Sequence, residues 1–451
     1  MGAVKVSLDQ TIQSLLDAKK YSSLRDVLIT MNPADIAGLF LELSPDSLPL
    51  LFRLLPKELA ADTFVEMDEE SQELLILGFS DRELKEVIDE LYVDDAVDLV
   101  EEMPATVVKR ILRQTAPEMR KMINEILKYP EDSAGSIMTT EYVNLRPEMT
   151  VAEALKRIRM TGVDKETIYT CYVTGPDRTL TGIVTAKALL LSQNEQKIAD
   201  IMESHVISVQ TMTDQEQVAL MFNKYNFLAL PVVDQENRLV GIVTVDDAMD
   251  VMQEETTEDI EKMAAIVPSD RPYMRTGIWT TFKQRIPWLL ILMVSATFTG
   301  MIITSFENAL AAQVVLTAFI PMLMDTGGNS GSQASVTIIR GLSLNEIHFK
   351  DLFRILWKEL RVGILCGTVL AAANFIKLLL IDRVSITVAF TVCLTLTVTV
   401  ILAKLVGCSL PMLAKKIGFD PAVMASPFIT TIVDAFSLLI YFQIASLLLG
   451  L

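Results

Sequence analysis

Apolar residues recur at three- and four-residue spacing through the first 130 positions. LRDVLITM, PADIAGLFLEL, PDSLPLLFRLL, KELAADTFVEM, DRELKEVIDEL and DDAVDLVEEM each read as one short amphipathic helix. Several open on Pro or Asp, which suit a first helical turn. Helices in such close series predict a small helical solenoid of irregular period over residues 1–130. The pattern then changes to short β-branched runs alternating with helical stretches, and this part is duplicated. TLTGIVTAKALL (Thr179–Leu190) matches RLVGIVTVDDAM (Arg238–Met249) at an offset of 59, and SIMTTEYVNLRPEMTVAEAL echoes DIMESHVISVQTMTDQEQVAL at an offset of 64. MDVMQEETTEDIEKMAAI (Met249–Ile266) predicts a single polar helix. After residue 281 five stretches are long and apolar enough to cross a bilayer: 286–305, 309–337, 362–381, 384–405 and 421–450. The second contains PMLMDTGGNSGSQAS (Pro321–Ser335), whose glycines and polar side chains predict a broken helix.

Charge divides the chain in the same place. The net charge is −18, of which residues 1–280 carry −22 and residues 281–451 carry +4. A phosphate-binding surface should be basic, so nucleic acid is excluded as a partner. The acidity supplies either solubility or oxygen ligands for hard cations. Four cysteines without a CxxC pair and two distant histidines argue against a zinc site or a disulfide framework. No GxxxxGK[ST], DKTG, HExxH or Ser/His pair appears, so an enzyme is not expected. The first twenty residues lack an apolar signal-peptide core, which places the acidic part in the cytosol. Lys283 and Arg285 precede the first span; Arg340, Lys350, Arg354, Lys358 and Arg361 follow the second; Lys404, at the end of the fourth, is read with Lys415 and Lys416 into the loop after it. The remaining loops hold only Lys377 and Arg383. The positive-inside rule gives five spans, N-terminus inside and C-terminus outside, and a two-fold homodimer could place a pore on its axis.

Within the apolar part, Asp434 lies thirteen residues into an otherwise uncharged span. An ionised Asp near the bilayer centre costs about 2.5–3.5 kcal/mol, which calls for a partner or a water-filled path. Thr430, Thr431 and Ser437 share its side of the helix. A hydrogen bond between helices and a cation path are the two readings. Asp420, followed by Pro421, reads as a helix cap. Asn329, Ser330, Ser332 and Gln333 offer oxygens to water or a hydrated ion, while Gly327, Gly328 and Gly331 allow close helix packing; Asp325 is the other deep carboxylate. In VDDAMDVMQEETTED (Val245–Asp259), Asp247, Asp250, Glu254 and Glu258 crowd one helical face with no basic residue before Lys262, as a solvated face or a metal site.

The repeated GIVT strand and following helix resemble the CBS-domain pair over residues 135–255. PMLMDTGGNSGSQASVTIIRGLS, together with GCSLPMLAKKIGFDPAVMASPFITTIVDAFSLLIYF, resembles the membrane domain of the MgtE family of magnesium channels, and the segments before it fall in that family's order. The resemblance implies a multidomain α and α/β architecture. A helical solenoid spans 1–130, the first CBS domain 131–200, the second 201–255, a connecting plug helix and linker 249–280, and a five-helix transmembrane domain 281–451. It implies a homodimeric, multi-pass protein of the plasma membrane that imports Mg²⁺ and is closed by cytosolic Mg²⁺, not an enzyme. The alternative is a gradient-coupled secondary transporter of Mg²⁺, Mn²⁺ or Co²⁺. By the same resemblance Asp434 is the pore carboxylate. Asp94 and Asp98, Asp214 and Glu216, and Asp247, Asp250, Glu255, Glu258 and Asp259 are metal-sensing ligands. The carry-over extends to Asp62, and Asn226 stands where the family can have an acid. Thr244 and Asp247 stand where nucleotide-binding CBS domains contact a ribose, with Ala188 in place of the acid in the first copy, so ATP is expected at one site at most as a modulator.

Overall fold

The structure, a computed structural model, describes residues 11–269, 273, 276–307, 311, 313–424 and 426–450. The start of the expected 309–337 span and the middle of the expected 249–280 linker include residues outside that set. Two compact units are present, Met1–Met252 and Gln253–Leu451.

In the first unit, nine short α-helices follow one another between Tyr21 and Ile126 among the described residues, as the apolar spacing predicts. Their starts are chemically marked. Asn32 accepts a hydrogen bond from the Ala34 amide ahead of Pro33. Ser80 and Glu83 bond each other's backbone N–H reciprocally at the start of Asp81–Ile88. The α/β part holds two three-stranded sheets. The first contains β1 (Tyr142–Leu145), β2 (Thr167–Thr174) and β3 (Leu180–Thr185); the second contains β4 (Val209–Gln210), β5 (Ala229–Val233) and β6 (Leu239–Thr244). Each has its first two strands parallel and its last two antiparallel, with matching registers such as Cys171 opposite Val184 and Leu230 opposite Val243.

The repeats exchange their leading segments. Thr139, ahead of β1, pairs with Ile242 of β6 through two backbone bonds of 2.8 and 2.9 Å. Glu203, ahead of β4, pairs with Ile183 of β3 through bonds of 2.9 and 3.0 Å. The two sequence offsets are the separations of these partners: 64 from Thr139 to Glu203 and 59 from Ile183 to Ile242. The seam needs glycine, because a Cβ on Gly182 or Gly241 would lie 2.7 Å from the sulfur of Met202 or Met138. One hydrophobic core runs from Ile12 through the solenoid into the second repeat as far as Ala248.

The helix expected at 249–266 is Val245–Met263, starting four residues earlier, directly after β6, where the Asp247 carboxylate accepts from the Thr244 amide. The second unit contains the long helices Ile278–Ser305, Ile320–Ser343, Leu352–Leu380, Ile386–Lys416 and Ser426–Leu449. Among the described residues, four segments are long and apolar enough to cross a membrane by length and composition, where five were expected: Ile278–Ser305, Phe349–Leu380, Ile386–Lys416 and Pro421–Leu449. Ile320–Ser343, the segment expected to be broken, is instead a continuous helix of 24 residues. Its glycines serve packing: a Cβ on Gly407 would sit 2.2 Å from the Gly331 carbonyl oxygen, so Ile320–Ser343 and Ile386–Lys416 cross there nearly backbone to backbone. Several helices outrun the expected spans, because backbone hydrogen bonding continues past the point where side chains become charged. Lys283 and Arg285 lie inside Ile278–Ser305, and Lys404 lies inside Ile386–Lys416.

Candidate functional site

In the second unit, helices Ile320–Ser343 and Ser426–Leu449 pack antiparallel. A Cβ on Gly327 would meet Ser437 and Val433, one on Gly328 would meet Thr430, and one on Gly331 would meet Ile429, all at 2.8–3.0 Å at closest. Three residues before Gly328 stands Asp325 and four after Thr430 stands Asp434, so this packing brings the two carboxylate positions together. Asp434 Oδ1 is buried without a hydrogen-bond partner. Of the threonines and serine expected beside it, Thr431 and Ser437 donate to the carbonyls of Pro427 and Val433.

The outer face of Ile320–Ser343 is polar and uncovered in this chain. Asp325, Asn329, Gln333 and Thr337, each four residues after the last, are exposed, whereas Ser330 turns inward and is buried. The stripe is about 18 Å long at ~1.5 Å per residue. Lipid cannot satisfy such a face, so it must border water or another protein surface.

One pair was not expected from sequence. Lys404, assigned to a loop by its charge, is buried and lies 4.0 Å from Glu359 on Leu352–Leu380. Asp420 does cap, accepting from the Ala422 amide at 2.8 Å. Its other oxygen binds Lys262 at 2.7 Å, and Lys262 also holds Glu258 at 2.6 Å. The Ser343 hydroxyl donates to Asp259 at 3.1 Å, and Met263 packs on Ile339 and Ala422. The end of the connecting helix is thereby fastened to the helix that carries Asp325 and to the short segment ahead of the helix that carries Asp434. Burial raises Asp259 above the usual carboxylate range, with the Ser343 bond opposing. A cavity of about 480 Å³ beside this helix is lined by Glu254, Glu258, Glu261 and Arg285 among others.

In the first unit, Val93–Glu102 projects Asp94, Asp95 and Asp98 toward Asp247 and Glu166. Burial, then the charge of Asp247, lifts Asp94 well above the usual range, Asp95 to about 7 and Asp98 to about 8. Burial, then Asp95, lifts Glu166 to about 8. Asp247 is pushed up to about 6 by burial, restrained by hydrogen bonds from the Thr244 hydroxyl and backbone amide. Asp94 Oδ1 and Glu166 Oε2 are buried with no hydrogen-bond partner. As the side chains stand, no three of His, Cys, Asp and Glu enclose a metal-sized site among the described residues. Yet crowded, under-satisfied carboxylate oxygens are the donor set a hard divalent cation takes, so the residues fit one.

The other expected ligands lie elsewhere. Asp214 is exposed and caps Gln215–Tyr225 by accepting from the Glu216 amide at 3.0 Å. Asp250 is exposed one turn beyond Asp246, and burial and Asp246 raise it. Asp62 is exposed and likewise raised by burial. Asn226 ends Gln215–Tyr225 in the left-handed region (φ 55°), which asparagine tolerates and which accounts for an amide there. Thr244 and Asp247, expected to meet a ribose, here bond each other as a helix cap. Sequence reasoning missed Asp95 and Glu166. Asp95 was overlooked because only Asp94 and Asp98 share an i,i+4 face, and Glu166 because it stands in a turn.

Residues 320–444 match the family described as MgtE, divalent cation transporter; residues 31–132 match the MgtE intracellular N domain, and 134–194 and 198–254 match the CBS domain. The chain is 36% identical over 449 residues to the magnesium transporter MgtE of Thermus thermophilus, covering 97% of this chain and 98% of the relative. The chain belongs to the MgtE family. The MgtE magnesium transporter of Bacillus subtilis is 33% identical, over 96% of this chain and 95% of its own. A crystal structure of the cytosolic domain of the Mg²⁺ channel MgtE in complex with ATP superposes with a TM-score of 0.52 at 36% identity, covering 54% of this chain and 99% of that one. The soluble part of a magnesium transporter gives the same TM-score at 29% identity, covering 56% and 99%. Membership makes this a membrane protein of a transporter family, built from the helical domain and CBS pair that the sequence pattern indicates.

Proposed function

We propose that the chain conducts Mg²⁺ into the cell along the polar stripe of Ile320–Ser343 and past Asp434, and that cytosolic Mg²⁺ closes it. The observation that carries this reading is the uncovered stripe Asp325, Asn329, Gln333 and Thr337 in an otherwise apolar unit. A second copy related by a two-fold axis would cover it and leave water between the two stripes. Mg²⁺ gives up its waters reluctantly and is commonly held by one or two carboxylates, so a wet, oxygen-lined path with Asp434 suits it as cargo. The relatives' names as magnesium transporters and as a Mg²⁺ channel support the choice of ion. The N-terminus lies in the cytosol and the C-terminus outside, in the plasma membrane.

For closure, Asp94, Asp95, Asp98, Glu166 and Asp247 would hold regulatory Mg²⁺ in the first unit. Glu255, Glu258 and Asp259 on the connecting helix, with Asp250, Asp214 and Glu216, complete the acidic set. Neutralising these carboxylates removes repulsion of about 3 kcal/mol per pair of charges ~6 Å apart at an effective dielectric of ~20. That favours the compact arrangement, which must bind the ion better than the open one. ATP is a modulator at Thr244 and Asp247, in keeping with the ATP complex of the related cytosolic domain.

The test is uptake of Mg²⁺, Mn²⁺, Ca²⁺ and K⁺ into liposomes holding the full chain. Asp434→Asn, folded and inserted, should lose most divalent uptake and its preference over K⁺. Unchanged uptake and preference would refute the path.

A further inference from the structure

We propose that the exposed start of Leu352–Leu380 holds the phosphate headgroup of an anionic phospholipid, with Arg354, Lys358 and Arg361 as its ligands and Trp357 beside them. Phe349–Leu380 has 32 residues, about 48 Å at ~1.5 Å per residue, whereas the hydrocarbon layer of a bilayer is about 30 Å thick. The far end is marked by Lys377, which reaches Asp382 at 2.9 Å. About 20 residues suffice to cross the hydrocarbon, and counting that many back from Lys377 arrives at Trp357. The turns around Trp357 therefore lie at headgroup depth, where tryptophan collects.

The helix sorts its faces by charge. Its inner face packs on Ile386–Lys416: a Cβ on Gly363 would lie 3.1 Å from the Ile401 Cα, and one on Gly367 would lie 3.1 Å from the Thr397 Cα. Glu359 belongs to that side, where it meets Lys404. Arg354, Lys358 and Arg361 fall on the opposite side and are exposed. The other acid of this stretch, Asp351, turns back to accept from the His348 amide at 3.1 Å. Neither Arg354 nor Lys358 has a side-chain partner among the described residues. Arg361 lies one turn deeper, but its Nε donates to the Trp357 carbonyl at 3.2 Å and its guanidinium stands 5.7 Å from the centre of the Trp357 ring. Its charge is thus drawn back to the level of the tryptophan, with both terminal nitrogens unengaged among the described residues. Beyond it on the same side, Ile364, Leu365 and Val369 are exposed and apolar, a surface for acyl chains beneath a headgroup. A second copy of the chain seated on this face would set like charges against each other. A lipid phosphate neutralises them, and arginine takes it through paired N–H donors.

The experiment uses the full chain carrying Trp279→Phe and Trp288→Phe, which leaves Trp357 as its one tryptophan. It is reconstituted in phosphatidylcholine with rising fractions of phosphatidylglycerol, one or the other lipid being brominated near the head of its chains to quench the tryptophan on contact. Each engaged cation contributes about fivefold to the preference for an anionic lipid, so phosphatidylglycerol should be preferred by about fivefold or more. Raising salt from about 0.1 M to about 1 M shortens the screening length from about 10 Å to about 3 Å and should cut that preference by at least half. Arg354→Gln, Lys358→Gln and Arg361→Gln together should bring it below about twofold, while Lys283→Gln, on another helix, should leave it unchanged. Inorganic phosphate at constant ionic strength should leave it in place too, because it lacks the chains that the apolar surface holds. Equal quenching by the two lipids overturns the inference, as does a preference that neither salt nor the triple substitution lowers. Weak quenching by both lipids overturns it by showing that protein covers the face, and displacement by inorganic phosphate overturns it by making the ligand a free anion. The salt series needs no substitution in the site, so it carries the decision if the triple variant fails to fold.

Discussion

Asp247 bears on Asp94, Asp95, Asp98 and Glu166 at once, so its cluster should couple cation binding to pH. Burial and mutual repulsion hold all five above their unfolded proton affinities. The folded unit therefore binds more protons than the unfolded chain. The contribution of these five groups to stability is greatest below about pH 4 and is lost as pH rises through about 8. A bound divalent cation supplies the same neutralisation, so cation and proton compete. With Asp95 at about 7 and Asp98 at about 8, about nine in ten of the former and ninety-nine in a hundred of the latter are protonated at pH 6. An ion that displaces one proton from Asp98 should need roughly 75-fold more Mg²⁺ at about pH 6 than at about pH 8.5, and more if Asp95 also gives up its own. The assay is the Mg²⁺ midpoint for protection of the full chain against protease near Pro130 and Pro268, read at both pH values. Asp247→Asn removes the charge shared by the cluster. It should weaken binding at the higher pH and flatten the dependence, because the remaining groups hold their protons less tightly. A midpoint that moves less than about threefold in the unsubstituted chain would refute this reasoning, since groups titrating in the ordinary carboxylate range would already be ionised at both pH values.

The helix crossing at Gly331 and Gly407 makes a stability prediction: Gly407→Ala should cost about 2–3 kcal/mol in detergent unfolding, because its Cβ meets a carbonyl 2.2 Å away. Gly300→Ala, with nothing within 4 Å, should gain about 0.5–1 kcal/mol. For Lys404 and Glu359, Lys404→Met alone should destabilise by about 3 kcal/mol by leaving a buried charge, whereas Lys404→Met with Glu359→Gln should recover most of that; equal losses in both would mean the pair is not electrostatically coupled. Asp420→Asn keeps a good cap but breaks the ion pair to Lys262; the partly exposed pair contributes about 1 kcal/mol at most, so the Mg²⁺ needed to halve uptake should shift by no more than about fivefold, and a loss of unfolding stability larger than this would show that the cap itself had failed.

The helical repeats, the duplicated α/β part and the apolar second half were legible because each rests on periodicity, which burial imposes along the chain. What was not legible depends on partners distant in sequence. The glycines of Pro321–Ser335 read as a break, since a helix alone is weakened by them; they prove to be the place where Ile386–Lys416 and Ser426–Leu449 press against it. Lys404 read as a loop charge because nothing local names Glu359 as its neighbour. Asp94 and Asp98 were visible as an i,i+4 pair, but Asp95 and Glu166 join them only through tertiary packing. Asp214 and Asn226 show the reverse: residue types suited to a ligand set stand where a helix needs its two ends finished.

The crossed pairing of Thr139 with Ile242 and of Glu203 with Ile183 has a consequence for origin and for engineering. Neither repeat owns the strand edge that completes it, so a single repeat made alone would present an open edge and look for its missing segment in another molecule. An ancestor with one repeat would have been an obligate pair of identical chains, and tandem fusion turned that intermolecular trade into an internal one. Once fused, the copies were free to drift apart wherever the seam was not involved. Ala188 and Asp247, equivalent positions 59 residues apart, show that freedom: the two halves share the scaffold, and one of them alone carries the acid.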